Sequence, residues 1–248
     1  LRGPYLNTEY LAFFMKSEKN EIKSDLIRKA INIGFDKRKM IKFLRNGVGI
    51  PANGGFIPIG LPGYKESSIN KYNPELAKIY VEMFKEKFKM SPSLKLTTSS
   101  NYLDFCEFIQ RELEKLGIEI IIDVIPGSAL KQAKANGKLD FFRASWIADY
   151  PDAENYLSLF YSKNFTPNGP NYTHFSNYEY DITYENSLKE ADPEKSKLIY
   201  SRLDSIILSK SVIVPMFYDE VIRFVSKNVI GMKINATNLL DLRTVKKM

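Results

Sequence analysis

A chain of 248 residues can bury about three quarters of the surface its unfolded form exposes, enough for a core without disulfide or metal staples. Its 44% hydrophobic share places it among globular proteins, and no run approaches the roughly 18 to 20 apolar residues that a membrane-spanning helix needs. The net charge is +7, yet 27 of the 36 basic residues are lysines spread over nearly every segment. Phosphate and base recognition favour clustered arginine forks, so the charge reads as a solvated surface and no nucleic-acid partner is expected.

The chain opens on Leu1, inside a predicted strand that covers residues 4–15, "PYLNTEYLAFFM". "KSDLIRKAINIG" follows, with Ser24 as helix N-cap, apolar residues at Leu26, Ile27, Ala30 and Ile31, and a break at Gly34; a second short helix runs from about Asp36 to Leu44. Residues 49–64, "GIPANGGFIPIGLPGY", hold three prolines and five glycines and read as an extended loop. Asn73 caps a helix with Pro74 in its first position. "SLKLTTSS" is a predicted strand, Asn101 to Leu116 a helix, "IEIIIDVI" a β-branched strand, Gly127 to Ala135 a helix and "LDFFRASW" a strand. Loop chemistry fills "SKNFTPNGPNYTHFSN". Helices are predicted over Tyr180 to Ala191 and, capped by Asp192, over Pro193 to Ser209. "VIVPMFY" and "VIRFVSKNVIG" read as two strands parted by a charged "DE". Strands alternating with helices of this length make an α/β protein with a largely parallel sheet.

Few groups suit chemistry. One cysteine, Cys106, at an apolar position of a predicted helix, reads as a small core residue, and one histidine, His174, in a polar loop, as ordinary surface. Single copies of each exclude cysteine zinc clusters and most histidine metal sites, and no serine elbow, phosphate loop or H-E-x-x-H occurs. No cofactor, metal or catalytic residue is expected.

The stretch "FFRASWIADYPDAENYLSLFY", residues 141–161, stands apart, because it sets the only tryptophan beside an arginine and two aspartates. On the strand, Arg143 and Ser145 share one face while Ala144 and Trp146 share the other. Asp149 falls in the loop past the strand's carboxyl end, the edge where open α/β sheets bind ligands. Asp152 reads as the N-cap of the helix "AENYLSLFY". Three uses of this stretch stay open on residue type alone. Asp149 can close a turn or hold an ammonium, and Asp149 with Asp152 is a weak glycosidase-like pair.

The whole chain resembles the oligopeptide- and dipeptide-binding family of extracellular solute-binding proteins of ABC transporters (bacterial family 5). The resemblance rests on "SDLIRKAINIGFDKRKMIKFLRNGVGIPANGGFIPIGLPGY", on the tryptophan followed, after two intervening residues, by aspartate, aromatic and proline, and on "VPMFYDEVIRFVSKNVIG". It implies one lobe of a type II periplasmic-binding-protein fold, with a mixed, mostly parallel sheet flanked by helices. Residues 1–217 would be the second lobe and 218–248 a segment crossing back to the first, which this chain does not include; a signal peptide and lipid anchor would lie upstream. The implied function is capture of short peptides for uptake, without catalysis, at the periplasm or cell surface, with a membrane permease and the missing N-terminal lobe as partners. The resemblance assigns Asp149 to the peptide's α-ammonium, Ser145 and Trp146 to its backbone and Arg143 to its carboxylate. An oligosaccharide binder of the same family would instead use Trp146, Tyr150 and Tyr156 as stacking platforms.

Overall fold

The computed structural model describes residues 1–248. Eight strands and nine helices follow one another as β1 (Arg2–Phe13), α1 (Asn20–Lys23), α2 (Asp25–Ile33), α3 (Lys37–Leu44), β2 (Ile50–Pro51), α4 (Pro74–Phe88), β3 (Ser93–Thr98), α5 (Leu103–Glu114), β4 (Glu119–Val124), α6 (Gly127–Ala135), β5 (Phe141–Ile147), α7 (Glu154–Leu157), α8 (Tyr178–Ser187), α9 (Pro193–Ser209), β6 (Ile213–Ile222), β7 (Val229–Ile230) and β8 (Lys246–Lys247). Helix starts obey the local signals. The side chains of Ser24, Asp36, Asn73 and Asp192 each accept a backbone N–H of the first turn they precede, and Pro74 and Pro193 sit where a missing N–H costs nothing.

Six strands form one sheet in the order β2-β6-β1-β5-β3-β4. β1 lies between β6 and β5, antiparallel to both, whereas β3 runs parallel to β4 and β5. The sheet is thus mixed and helix-flanked, as expected, but its parallel part is confined to β5, β3 and β4. The βαβ units fall only in that stretch of chain, and β1 and β6 enter from the two ends of the sequence.

The two faces of the sheet divide the core. Leu11 and Phe13 of β1 and Phe141 of β5 point to a cluster shared with α2, α4 and α5; Tyr10, Ala12, Phe142 and Ala144 point to a second one shared with α7, α8 and α9. This alternation follows from the period of two along a strand. Cys106 packs inside the first cluster, as its apolar position predicted, and burial pushes its thiol pKa up.

Three expectations need correcting. β6 is one continuous strand through Asp219 and Glu220 rather than two parted by them, because Arg45 bonds Asp219 and Arg2 bonds Glu220, and charges paired at the sheet's end need no loop. Helix α8 starts earlier and ends sooner than expected: the Asn177 side chain caps it by accepting the Tyr180 N–H at 2.9 Å. His174 is half-buried rather than surface. Its ring stacks on Phe165 at 4.6 Å and bonds the Thr166 hydroxyl at 3.1 Å, and burial lowers its pKa.

Beyond Ile222 the chain is largely exposed, with β7 and β8 pairing as a two-stranded ribbon. Phe224, Leu239, Leu240 and Leu242 all lie open to solvent there.

Candidate functional site

β5 carries the site to the edge of the sheet. Register with β1 places Trp146 opposite Thr8 and Ser145 opposite Glu9, and the Ala148 N–H extends the pairing by bonding the Leu6 carbonyl at 2.9 Å. The chain then turns through residues 148–153 into α7.

That turn is organised by a residue the sequence reading missed, Asn155. Its buried side-chain oxygen accepts the Trp146 indole N–H at 2.8 Å and the Asp149 backbone N–H at 3.2 Å. One amide therefore orients the tryptophan and the aspartate together. The only hint in sequence was an amide on the short helix that follows the turn. Asp152 acts as predicted in kind, accepting the Glu154 N–H at 2.8 Å, one residue ahead of the formal cap position of α7.

The four expected site residues have different surroundings. Asp149 is exposed, and its carboxylate makes no hydrogen bond or ion pair within the chain. Trp146 and Ser145 are half-buried, the indole leaning on the second core cluster. Arg143 is buried on the opposite face of the sheet from Trp146. It bonds Glu9 of β1 and has the Tyr102 ring over its guanidinium at 3.1 Å. The expectation that Arg143 stands ready for a ligand carboxylate meets a side chain that already has a carboxylate.

Neighbouring carboxylates are all engaged. Glu154 accepts from the hydroxyls of Tyr150 and Tyr184, Asp219 from Arg45, and Glu220 from Arg2 at 2.5 Å. Burial pushes the Glu9 carboxyl up in pKa, and the Arg143 guanidinium beside it pulls the other way. Asp149 is the exception in this surrounding, an unpaired charge on a backbone fixed by Asn155.

One other idea loses its footing. Tyr156 cannot be a stacking platform for sugars, because it is fully buried against Phe56 at 5.5 Å. No group of three His, Cys, Asp or Glu side chains is placed to hold a metal ion, and no helix is long and apolar enough to cross a membrane. Cavities of about 580 and about 400 Å³ lie elsewhere, one along β4 and the start of β3, the other between α2, α4 and the end of α9.

Comparison with known proteins gives a consistent picture. A family model described as bacterial extracellular solute-binding proteins, family 5 Middle, matches residues 1–168. The dipeptide-binding protein DppE of Bacillus subtilis is 23% identical over 232 residues, covering 89% of this chain and 42% of the relative. Among solved structures, HbpA2 from Haemophilus parasuis superposes with a TM-score of 0.88 at 18% identity, over 100% of this chain and 49% of that one. DppA from Helicobacter pylori in complex with the peptide STSA gives 0.80 at 21% identity, over 89% and 43%. The chain spans about two fifths of the length of the curated relatives it matches. DppE and DppA are both named as binding proteins.

Proposed function

The chain belongs to the bacterial extracellular solute-binding proteins of family 5, and from that premise we propose that it forms one wall of a peptide-binding cleft in an ABC uptake system. Residues 1–217 make the lobe, with β6 running on to Ile222 in the same sheet, and the chain beyond crosses to a second lobe, whose contact would cover the apolar side chains exposed there. The complete protein works outside the cytoplasm, at the periplasm or cell surface, and delivers its ligand to a membrane permease.

The observation that carries this reading is Asp149. An unpaired carboxylate at the carboxyl edge of the sheet, with its backbone locked by Asn155, is a preorganised acceptor for a peptide's α-ammonium. Trp146 beside it offers an apolar wall, and the half-buried Ser145 a short polar one. Closure of the opposite lobe would remove water and strengthen the charge pairing. Relatives named for dipeptide, glutathione and oligopeptide binding support the ligand class.

A thermal-shift screen of the two-lobe protein tests the choice of ligand. Short peptides with free amino ends should raise its melting temperature, and oligosaccharides should not. Stabilisation by sugars alone would contradict the proposal.

A further inference from the structure

Arg143 does not stand free. Its guanidinium bonds the Glu9 carboxylate across the β1–β5 pair, with side-chain exposures of 8% and 4%. Asn7 holds Glu9 at 3.1 Å and reaches Asp219 at 3.2 Å, and Asp219 in turn accepts from Arg45. The ladder Arg143, Glu9, Asn7, Asp219, Arg45 crosses β5, β1 and β6 and ends just past α3. Two guanidinium groups face two carboxylates, so the ladder is neutral as it stands.

Glu9 engages Nη2 of Arg143 and leaves its buried Nε without a partner, so an incoming carboxylate would add a third negative charge to a ladder that is neutral and buried. That charge would be uncompensated, one of the most expensive arrangements a protein interior can hold. Tyr102 blocks a second approach by covering the guanidinium face.

We infer that Glu9 determines specificity by withholding Arg143 from ligands, so that the site reads a peptide at its ammonium end through Asp149 and is indifferent to charge at its carboxyl end. The ligand class selected is peptides whose carboxyl terminus lies away from β5 or is blocked. The ammonium half of this statement rests on the peptide reading above; the withheld cation does not.

The test compares a tripeptide with its C-terminal amide by calorimetry on the two-lobe protein. The wild type should bind the two within about threefold, whereas Glu9→Gln, which releases Arg143, should favour the acid by at least about tenfold. Glu9→Asp keeps the charge and should return the ratio toward that of the wild type. General damage to the fold would weaken acid and amide together and leave their ratio alone. The inference is overturned by a wild-type preference for the acid of about tenfold or more that vanishes in Arg143→Met, or by an unchanged ratio in Glu9→Gln.

A second readout needs neither peptide nor variant. Arginine modification by phenylglyoxal, followed by peptide mapping, should label buried Arg143 far more slowly than the exposed Arg243. Equal rates would overturn the inference. If neither peptide form binds while Arg143 stays protected, the peptide reading fails and the withheld cation stands.

Discussion

Asp204 of α9 is buried at 4% exposure, with no cation beside it, and accepts the Phe56 N–H at 2.9 Å. Burial raises its pKa from 3.8 to about 7. The unfolded chain releases this proton near pH 3.8, while the folded chain keeps it to about pH 7. Between those values the unfolded state binds fewer protons, so stability falls as pH rises, and the full penalty is present above pH 7. At about 1.4 kcal/mol per pH unit the whole span is worth about 4 kcal/mol. Asp204→Asn keeps an acceptor for Phe56 and removes the charge. Denaturant unfolding of both proteins at pH 4 and pH 8 measures the effect: the variant should be near parity at pH 4 and ahead by about 4 kcal/mol at pH 8. Subtracting one protein from the other cancels the remaining carboxyl groups. A difference that does not change with pH would refute the argument. The position matters to the site, because Phe56 packs edge-on against Tyr156 and Phe160 behind the binding turn.

Further predictions concern single groups. Asn155→Ala leaves the Trp146 indole and the Asp149 amide without their acceptor, at about 1–3 kcal/mol for each group that stays dry, and a denaturation midpoint unchanged from wild type would count against its organising role. Asp152→Ala removes the bond to the Glu154 N–H and the carboxylate beside the Tyr200 side chain; it should cost about 0.5–2 kcal/mol of stability and leave ligand affinity near normal. Lys37 is buried, its pKa lowered from 10.5 to about 7, so the unfolded chain binds its proton more tightly and stability should rise from pH 7 upward. The gain between pH 7 and pH 9 should be about 2 kcal/mol in the wild type, and its persistence in Lys37→Met would show that another group is responsible.

What could be read in sequence was whatever acts over a few residues. Caps at Ser24, Asn73 and Asp192, the alternation on β5 and the edge position of Asp149 are all fixed by neighbours in the chain, and the structure has them. What escaped was set by distant partners. Glu9 and Arg143 lie 134 positions apart, and neither residue announces that it will be buried against the other. The same holds for β6, where Asp219 and Glu220 look like a loop until Arg45 and Arg2 arrive from other elements. His174 looked exposed because its loop is polar, while its stacking partner Phe165 belongs to the same loop folded back. Asn155 is the instructive case: it is near the site in sequence, but its role needed the geometry of the turn.

The central claim, that Asp149 holds a peptide's ammonium, is tested by titrating a short peptide and its N-acetylated form into the two-lobe protein and into Asp149→Ala. Truncating one member of a charge pair desolvated by lobe closure typically costs about 2–5 kcal/mol. The free peptide should therefore lose at least about thirtyfold in affinity in the variant, while the acetylated peptide binds weakly to both proteins and loses little more. Equal binding of free and acetylated peptides by the wild type, or an affinity that Asp149→Ala leaves untouched, would contradict the account.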